Sequence, residues 1–242
     1  MAVFQQVLKE IDCRPPGELL TLADFALPPE QFMALAKALS RLTQAGTLRR
    51  VMKGLYFKPM RSVIGEVTTP SYEKVLQKLL ELYRDKISYV TGTQVYSRMG
   101  LTTQIAGEFV IATDRPREPI QIGPTKVRFI RSHVTEPVDD VVLVQLLDAI
   151  WEIKQIPATT PAKAAGILLG QLRRLTNAQR QELARLALSY PPQARALTGL
   201  MLETLGEEAS AKTLKASLNP LTTYQLTLND AVFPTARSWR FQ

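Results

Sequence analysis

Apolar residues recur at helical spacing through the first 45 residues and predict three helices. Pro15 and Pro16 end the first, because proline cannot continue the helical hydrogen bonds. Thr21 and Asp24 have the spacing of a helix-start box before the second. Gly46 supplies a C-terminal stop for the third. The predicted helices cover residues 2–12, 22–26 and 29–45.

Two short apolar runs then predict a β-hairpin. Residues 48–52 and 55–58 have the composition of strands, and the Lys53-Gly54 pair between them is typical of a tight turn. Three helices followed by a small basic hairpin is the element order of a winged helix-turn-helix. We therefore expect this fold over residues 1–65, with a linker over Arg61–Pro70.

The remainder of the chain mixes short strands with apolar helices. A strand is predicted over residues 108–113, and a hairpin over 119–122 and 126–131 around Gly123-Pro124. Helices are predicted over residues 72–84, 93–99, 137–153, 161–175, 177–189 and 192–206. The expected fold class is α+β, with the N-terminal winged helix-turn-helix followed by a mixed domain. That domain, residues 66–206, has a small β-sheet and a C-terminal helical bundle, and an irregular tail, residues 207–242, packs back on the body.

Composition limits the compartment and the partners. The chain of 242 residues has a single cysteine, Cys13, so no internal disulfide can form and a cytoplasmic location is expected. The N-terminus lacks the apolar region of a signal peptide, and no run of 18 apolar residues predicts a membrane span. We therefore expect no membrane partner.

The net charge of +8 is concentrated in one stretch. Residues 30–61 contain seven basic residues and one acid, Glu30, which gives a local charge of +6. Residues 65–150 are near neutral, with ten bases and eleven acids, and residues 151–242 carry a more diffuse excess of +5. Positive charge localised in this way indicates an anionic partner for the N-terminal domain.

The third predicted helix has one apolar and one basic side. At about 100° per residue, the apolar side, expected to pack on the other helices, holds Phe32, Leu35, Ala36, Leu39 and Thr43, with Leu42 at its margin. The opposite side holds Ala34, Lys37, Arg41 and Gln44, with Gln31 flanking. Arginine can pair with guanine and glutamine with adenine through two hydrogen bonds, so this face suits a recognition helix in the major groove. An ordinary solvated helix surface is the alternative interpretation.

The hairpin strengthens the case for DNA. It carries four basic residues, Arg49, Arg50, Lys53 and Lys58. Basic side chains on a projecting wing can contact backbone phosphates or the minor groove beside the recognition helix. Helix and wing together predict double-stranded DNA as the partner.

Six short segments give the chain a resemblance to a known family. The first three are Ala38-Leu39-Ser40-Arg41-Leu42, Gly46-Thr47-Leu48-Arg49-Arg50 and Gly54-Leu55-Tyr56-Phe57-Lys58-Pro59. The others are Gly100-Leu101-Thr102-Thr103-Gln104, Ala112-Thr113-Asp114 and Val127-Arg128-Phe129. In this order they resemble the AbiE-type antitoxin family, bacterial regulators paired with nucleotidyltransferase toxins. The similarity extends over about residues 1–205.

The resemblance implies a protein with two activities. Its N-terminal module would bind inverted repeats in its own promoter as a transcriptional autorepressor. Its C-terminal domain would act as the antitoxin of a type IV toxin–antitoxin system, as in phage defence, opposing the toxin directly or indirectly. The alternative is a stand-alone regulator whose C-terminal domain only positions or dimerises the wing domain. A toxin-like gene next to this one would distinguish the two.

Catalytic and metal-binding chemistry find little support in the sequence. One cysteine and one histidine, His133, cannot form a metal-binding cluster, and His133 is expected to be structural or surface-exposed. No phosphate loop, dinucleotide fingerprint or nucleophile elbow occurs. Asp139 and Asp140 follow Pro137 at a helix start, where acids favour the helix dipole. A nuclease would need clustered carboxylates, and no such cluster stands out in residues 66–206. We therefore expect neither an enzyme nor a cofactor.

A second basic group lies on the predicted C-terminal helices. It comprises Arg173, Arg174, Arg180, Arg185 and Arg195, with few acids nearby. It is either a solvated surface or a second anion-facing surface, for flanking DNA, RNA or an acidic protein patch. In the same half of the chain, Gly166 and Gly170 are expected to allow close helix packing, and Trp151 and Trp239 to anchor the core.

Overall fold

The computed structural model describes residues 3–61, 67–68, 70–82, 87–115, 117–122 and 125–242. The fold is α+β, as the sequence predicts. The chain forms two compact units. The first unit comprises residues 1–83 and 120–125, and the second comprises residues 84–119 and 126–242.

Helices form the core of the first unit. Helix α1 spans Val3–Cys13, 3₁₀ turns follow at Leu22–Asp24 and Pro29–Gln31, and helix α2 spans Phe32–Gln44. The second predicted helix is thus a single turn, and the predicted helix-start box is present. The Asp24 carboxylate accepts hydrogen bonds from the backbone N–H and the hydroxyl of Thr21, both at 2.7 Å. The core contains Val7, Ile11, Leu20, Phe25, Leu35, Ala38, Leu39, Leu42 and Leu48.

Three short strands complete this part of the first unit. They are β1 at Leu19–Leu20, β2 at Arg49–Met52 and β3 at Leu55–Phe57, in the antiparallel order β1-β3-β2. The predicted hairpin is therefore confirmed, and Gly54 takes the positive φ of 84° that its turn requires. Strand β1 was not predicted, because two residues are too few to show an alternating pattern.

The first unit continues beyond the boundary at residue 65 that the sequence predicts. Strands β4 at Met60–Arg61 and β5 at Val67–Thr68 pair where the sequence predicts a linker from residue 61, and residues 62–66 and 69 of that linker lie outside the described chain. Helix α3 follows at Tyr72–Leu82 and buries Val75, Leu76 and Leu79. It lies beside β1, and the Lys78 ammonium is 3.5 Å from the Asp24 carboxylate. This packing makes α3 part of the first unit.

The second unit begins with a small sheet. Strand β6 spans Ser88–Thr91, helix α4 Thr93–Arg98 and strand β7 Glu108–Thr113. Strand β8 at Ile120–Ile122 falls in the first unit, and β9 runs over Thr125–Arg131. Within the second unit, β6 pairs antiparallel with β7, and β7 pairs parallel with β9. The turn predicted at Gly123-Pro124 lies outside the described residues.

Five helices follow the sheet in the second unit: α5 at Val141–Trp151, α6 at Pro161–Arg173, α7 at Asn177–Ala187, α8 at Pro192–Thr204 and α9 at Glu208–Ala216. The starts of α5, α6 and α7 have side-chain caps. Asp140 accepts from the Val142 N–H at 3.0 Å, and Thr176 with Gln179 forms a capping box. The middle of α5 and the middle of α8 are buried and form the centre of the core.

The last 36 residues are more ordered than the predicted irregular tail. Helix α9 opens them, and the segment after it packs on α8 within the second unit. Trp239 is 1% exposed, its indole N–H donates to the Glu203 carboxylate at 3.0 Å, and its ring lies against Gly199. Trp239 is therefore the core anchor that the sequence predicts, whereas Trp151 is 36% exposed and is not. Gly166 and Gly170 face open space, so close helix packing does not explain them.

Candidate nucleic-acid interface

Helix α2 presents a polar face opposite to the side that it buries. The buried residues are Leu35, Ala38, Leu39 and Leu42. Opposite them lie Met33, Lys37, Ser40 and Gln44, spaced four, three and four residues apart, with Arg41 alongside. All five are exposed, and we call them the outer stripe. Lys37, Arg41 and Gln44 thus lie where the sequence predicts.

The buried side of α2 is rotated relative to the predicted one. Phe32 and Ala36, expected inside, are exposed, and Ala38 and Leu42 take their place in the core. The reason is that residues 35, 38, 39 and 42 are all apolar and each lies three or four positions from two of the others, so they form one continuous stripe along the helix. Gln31 does not belong to the outer stripe, because it is half-buried in the 3₁₀ turn that precedes α2.

The β2–β3 hairpin, which follows α2 in the sequence, carries three exposed cations. Arg49 and Arg50 lie on β2, and Lys53 lies at the turn. The Leu48 N–H donates to the Leu42 carbonyl at 3.1 Å, which fixes the start of β2 against the end of α2. The guanidinium of Arg50 makes one local bond, from Nε to the Met52 carbonyl at 3.2 Å.

Positive charge on this helix and hairpin is not neutralised within the described part of the chain. None of Lys37, Arg41, Arg49, Arg50 and Lys53 forms an ion pair with a described carboxylate. We call these five residues the free cations. Exposed cations without counter-charges raise the local potential and favour a polyanionic ligand.

Lys58 has a different environment from the other hairpin cations. Its ammonium donates to the carbonyls of Ile11, Asp12 and Arg14 at 3.0, 2.9 and 3.1 Å. These carbonyls lie at the C-terminal end of α1, where the helix leaves acceptors without partners. Lys58 therefore caps the C-terminal end of α1, and it is not part of the candidate interface.

In the described part of the second unit, some arginines of the second basic group bind carboxylates or backbone carbonyls, and others do not. The guanidinium of Arg180 donates to the carbonyls of Leu172 and Arg173 and pairs with Glu207 at 3.0 Å, so it closes the end of α6. Arg185 pairs with Glu182 at 2.7 Å and with Glu136 at 3.5 Å.

The other three members of the second basic group form no such ion pairs with described residues. Arg195 is half-buried and donates to the Ser217 carbonyl at 3.0 Å, and Arg173 and Arg174 are exposed. Within the described chain, neither of these last two forms an ion pair.

A buried polar cluster in the second unit was not anticipated from the sequence. The Asp148 carboxylate, 5% exposed, accepts hydrogen bonds from Thr91 at 2.8 Å and from Tyr190 at 2.7 Å. Burial raises the pKa of Asp148 to about 6, although these hydrogen bonds oppose the shift. The signal was one acid within the apolar run of α5. Charge in such a run requires polar partners, but the sequence does not say which.

His133 lies at the edge of this cluster. Its ring packs on Tyr190, with centroids 4.5 Å apart, and meets the edge of Trp151 at 5.8 Å. Burial lowers the pKa of His133, which favours the neutral imidazole. In the described chain, no three His, Cys, Asp or Glu side chains are grouped so that they could hold a metal ion. Nor does any helix there have the length and apolarity needed to cross a membrane.

Comparisons with known proteins give a family without an assigned function. A sequence profile described as "Family of unknown function (DUF6088)" matches residues 6–155. Among solved structures, the crystal structure of the RV2827C protein from Mycobacterium tuberculosis is similar, with a TM-score of 0.49 and 15% sequence identity. That similarity covers 90% of this chain and 82% of the other. No curated protein matches the sequence.

Proposed function

The chain belongs to the family of unknown function DUF6088, and we propose that it is a sequence-specific, non-enzymatic DNA-binding regulator. In this proposal the first unit is a winged helix-turn-helix, α2 is its recognition helix and the β2–β3 hairpin is its wing. The observation that carries the proposal is the set of five free cations on a single helix and the hairpin that follows it.

The order of elements in the first unit supports this assignment. A winged helix-turn-helix has a helix, a short strand, two further helices and a hairpin, and its first strand pairs with the second strand of the hairpin. The first unit has this order, with its second helix reduced to a 3₁₀ turn and its sheet in the order β1-β3-β2. The pairing of Leu20 with Tyr56 connects β1 to the wing.

The dimensions of the outer stripe fit a DNA groove. Met33 and Gln44 are eleven residues apart, which corresponds to about 16 Å along the helix axis at 1.5 Å per residue. That length spans about five base pairs at 3.4 Å per step. Lys37, Arg41 and Gln44 supply donors and an acceptor for base edges, and Arg49, Arg50 and Lys53 supply charge for phosphates.

A salt titration of the full chain tests the proposal. We expect binding to the DNA upstream of its gene to weaken steeply as salt rises, because each neutralised phosphate contributes about −0.9 to the log–log slope. Fluorescence anisotropy at several salt concentrations measures this slope. Lys53→Ala should reduce the slope by about one unit, whereas Lys163→Ala, an exposed lysine on α6, should not.

Specificity is measured in the same assay. Arg41→Ala and Gln44→Ala should reduce the preference for the upstream fragment over random DNA by about 1–3 kcal/mol where a bidentate base contact is lost. Arg49→Ala should weaken binding to both DNAs alike. Binding that is absent at low salt, or that does not respond to salt, would refute the proposal.

Autorepression and antitoxin activity are a second part of the proposal. They rest on the resemblance of residues 37–59 and 100–129 to the AbiE-type antitoxins, and the description of DUF6088 assigns no function. We propose that the chain represses its own promoter and counteracts a nucleotidyltransferase-type toxin. Co-expression with such a toxin from a neighbouring gene tests this part. If the chain does not relieve the toxicity, the alternative applies, and the protein is a stand-alone transcriptional regulator.

A further inference from the structure

The start of α2 exposes two large apolar side chains. Met33 is 74% exposed and Phe32 is 41% exposed. Neither belongs to the core cluster of the first unit, whereas Leu35 and Leu39 of the same helix do. A ligand that covers this end of an otherwise polar face would remove that apolar surface from water, which is favourable.

Met33 is aligned with the polar part of the outer stripe. Lys37, Ser40 and Gln44 continue the stripe from Met33 along the same face, and all are exposed. A ligand that covers this face therefore meets an apolar group at the helix start and polar or charged groups beyond it. In a recognition helix, the N-terminal residues are among those that contact base edges.

One base edge in the major groove offers a matching apolar group. Thymine alone among the four bases of DNA presents a methyl group there, at C5, and the other groups are hydrogen-bond donors and acceptors. We infer that Met33, flanked by Phe32, reads a thymine through this methyl group. The inference rests on the proposed function and adds a base preference at the start of α2.

Charge favours DNA over the other possible occupants of this surface. Residues 31–60 contain six basic residues and no acid, so a ligand on the outer stripe must tolerate Lys37 and Arg41 beside Met33. A second copy of the chain docked through the same face would bring these like charges together. The phosphate backbone that flanks a thymine has the opposite charge.

Thymine-to-uracil replacement tests the inference, because it removes only the methyl group. The preferred duplex is first selected from a random library with the full chain, and each thymine is then replaced in turn by deoxyuridine. We expect at least one replacement to weaken binding roughly fourfold, the value for one buried methyl group of about 0.8 kcal/mol. The salt slope should stay the same, since no phosphate is changed.

Variants of Met33 assign the effect to this side chain. Met33→Ala should bind the thymine and uracil duplexes equally, and Met33→Leu, which keeps the apolar surface, should retain the thymine preference. Ile105→Ala is the matched control, because Ile105 is 96% exposed in the second unit and should leave the preference unchanged. A thermal melt of each variant confirms that these exposed substitutions leave the fold intact.

The outcomes separate this inference from the proposed function. If no thymine responds to replacement, or if Met33→Ala keeps the full preference, the inference is wrong while salt-dependent DNA binding stands. Self-association that Met33→Ala abolishes would show that a second copy covers the patch, and would overturn the inference as well. If the full chain selects no duplex at low salt, the proposed function itself fails.

Discussion

The ammonium of Lys58 and the guanidinium of Arg180 share one structural role. Each donates to backbone carbonyls at the C-terminal end of a helix, Lys58 at α1 and Arg180 at α6. A helix end offers several carbonyls without partners and a partial negative charge, so a cation there contributes to folding. Counting charges along the sequence cannot distinguish these residues from Lys53 or Arg173. The distinction depends on contacts between residues far apart in the chain.

Replacing Lys58 should therefore affect stability rather than DNA binding. We expect Lys58→Met to lower the free energy of unfolding by about 1–3 kcal/mol, because three carbonyls at the end of α1 lose a charged donor. Thermal and urea unfolding of the full chain measure the loss. Lys53→Met, the matched control at the hairpin tip, should leave the melting temperature unchanged and reduce the salt slope of DNA binding. A Lys58→Met protein with normal stability and a reduced slope would contradict this assignment.

The buried carboxyl of Asp148 should give the protein a distinctive pH dependence. Its pKa of about 6 in the folded chain lies above the value near 3.9 of an unfolded aspartate. The folded state therefore holds this proton more tightly, and the stability gained from it is lost as pH rises from about 4 to about 6. We expect the melting temperature of Asp148→Asn, relative to the original chain, to increase across this window and to level off above it. A constant difference between pH 4 and pH 8 would show that Asp148 does not titrate there.

At the scale of elements, local patterns predicted those elements whose signals are local. Helices α1, α2 and α5–α8 and the hairpin turn at Gly54 follow from apolar spacing and turn residues. Strands β1 and β6 and helix α9 were missed: the strands have two and four residues, and α9 buries only Ala211 and Leu214. The outer stripe was largely predicted, but Met33 and Ser40 were not assigned to it. Which apolar stripe a helix buries depends on its neighbours in the fold.

The packing of the tail on α8 gives a prediction with a matched control. A Cβ at Gly199 would overlap the Trp239 ring, whereas a Cβ at Gly170 would meet open space. We expect Gly199→Ala to lower the free energy of unfolding by about 1–3 kcal/mol through overpacking. Gly170→Ala, within α6, should raise it by up to about 1 kcal/mol, because alanine favours a helix. Chemical denaturation of both variants tests the pair, and a stable Gly199→Ala protein would argue against this packing.

At the scale of the whole molecule, the domain boundary could not be read from composition alone. The Pro-containing stretch after residue 60 resembles a linker, yet α3 beyond it packs in the first unit through Val75, Leu76 and Leu79. Residues 120–125 also join that unit from a distant part of the chain. Two units with separate cores are nevertheless suited to two separate activities, as the proposed regulator and antitoxin require.

We expect repression and antitoxin activity to be separable by mutation. Arg49→Ala with Arg50→Ala removes wing charge and should abolish promoter repression while leaving protection against the toxin, if the protein is supplied from an independent promoter. In the second unit, Arg173 and Arg174 are the exposed members of the second basic group without a described ion pair. Arg173→Gln with Arg174→Gln should reduce protection and leave repression intact.

The choice of glutamine and of control makes the second half of this test specific. Glutamine removes charge without placing an acid at the C-terminal end of α6, where an acid would oppose the helix dipole. Lys163→Gln, on the exposed surface of the same helix, is the control for loss of one charge. Growth of toxin-expressing cells and a promoter reporter are read for each variant, with a thermal melt for folding. If the double glutamine variant folds and still protects, this surface does not carry the antitoxin activity. If the wing variant also loses protection, the two activities depend on a single surface and the two units do not act separately.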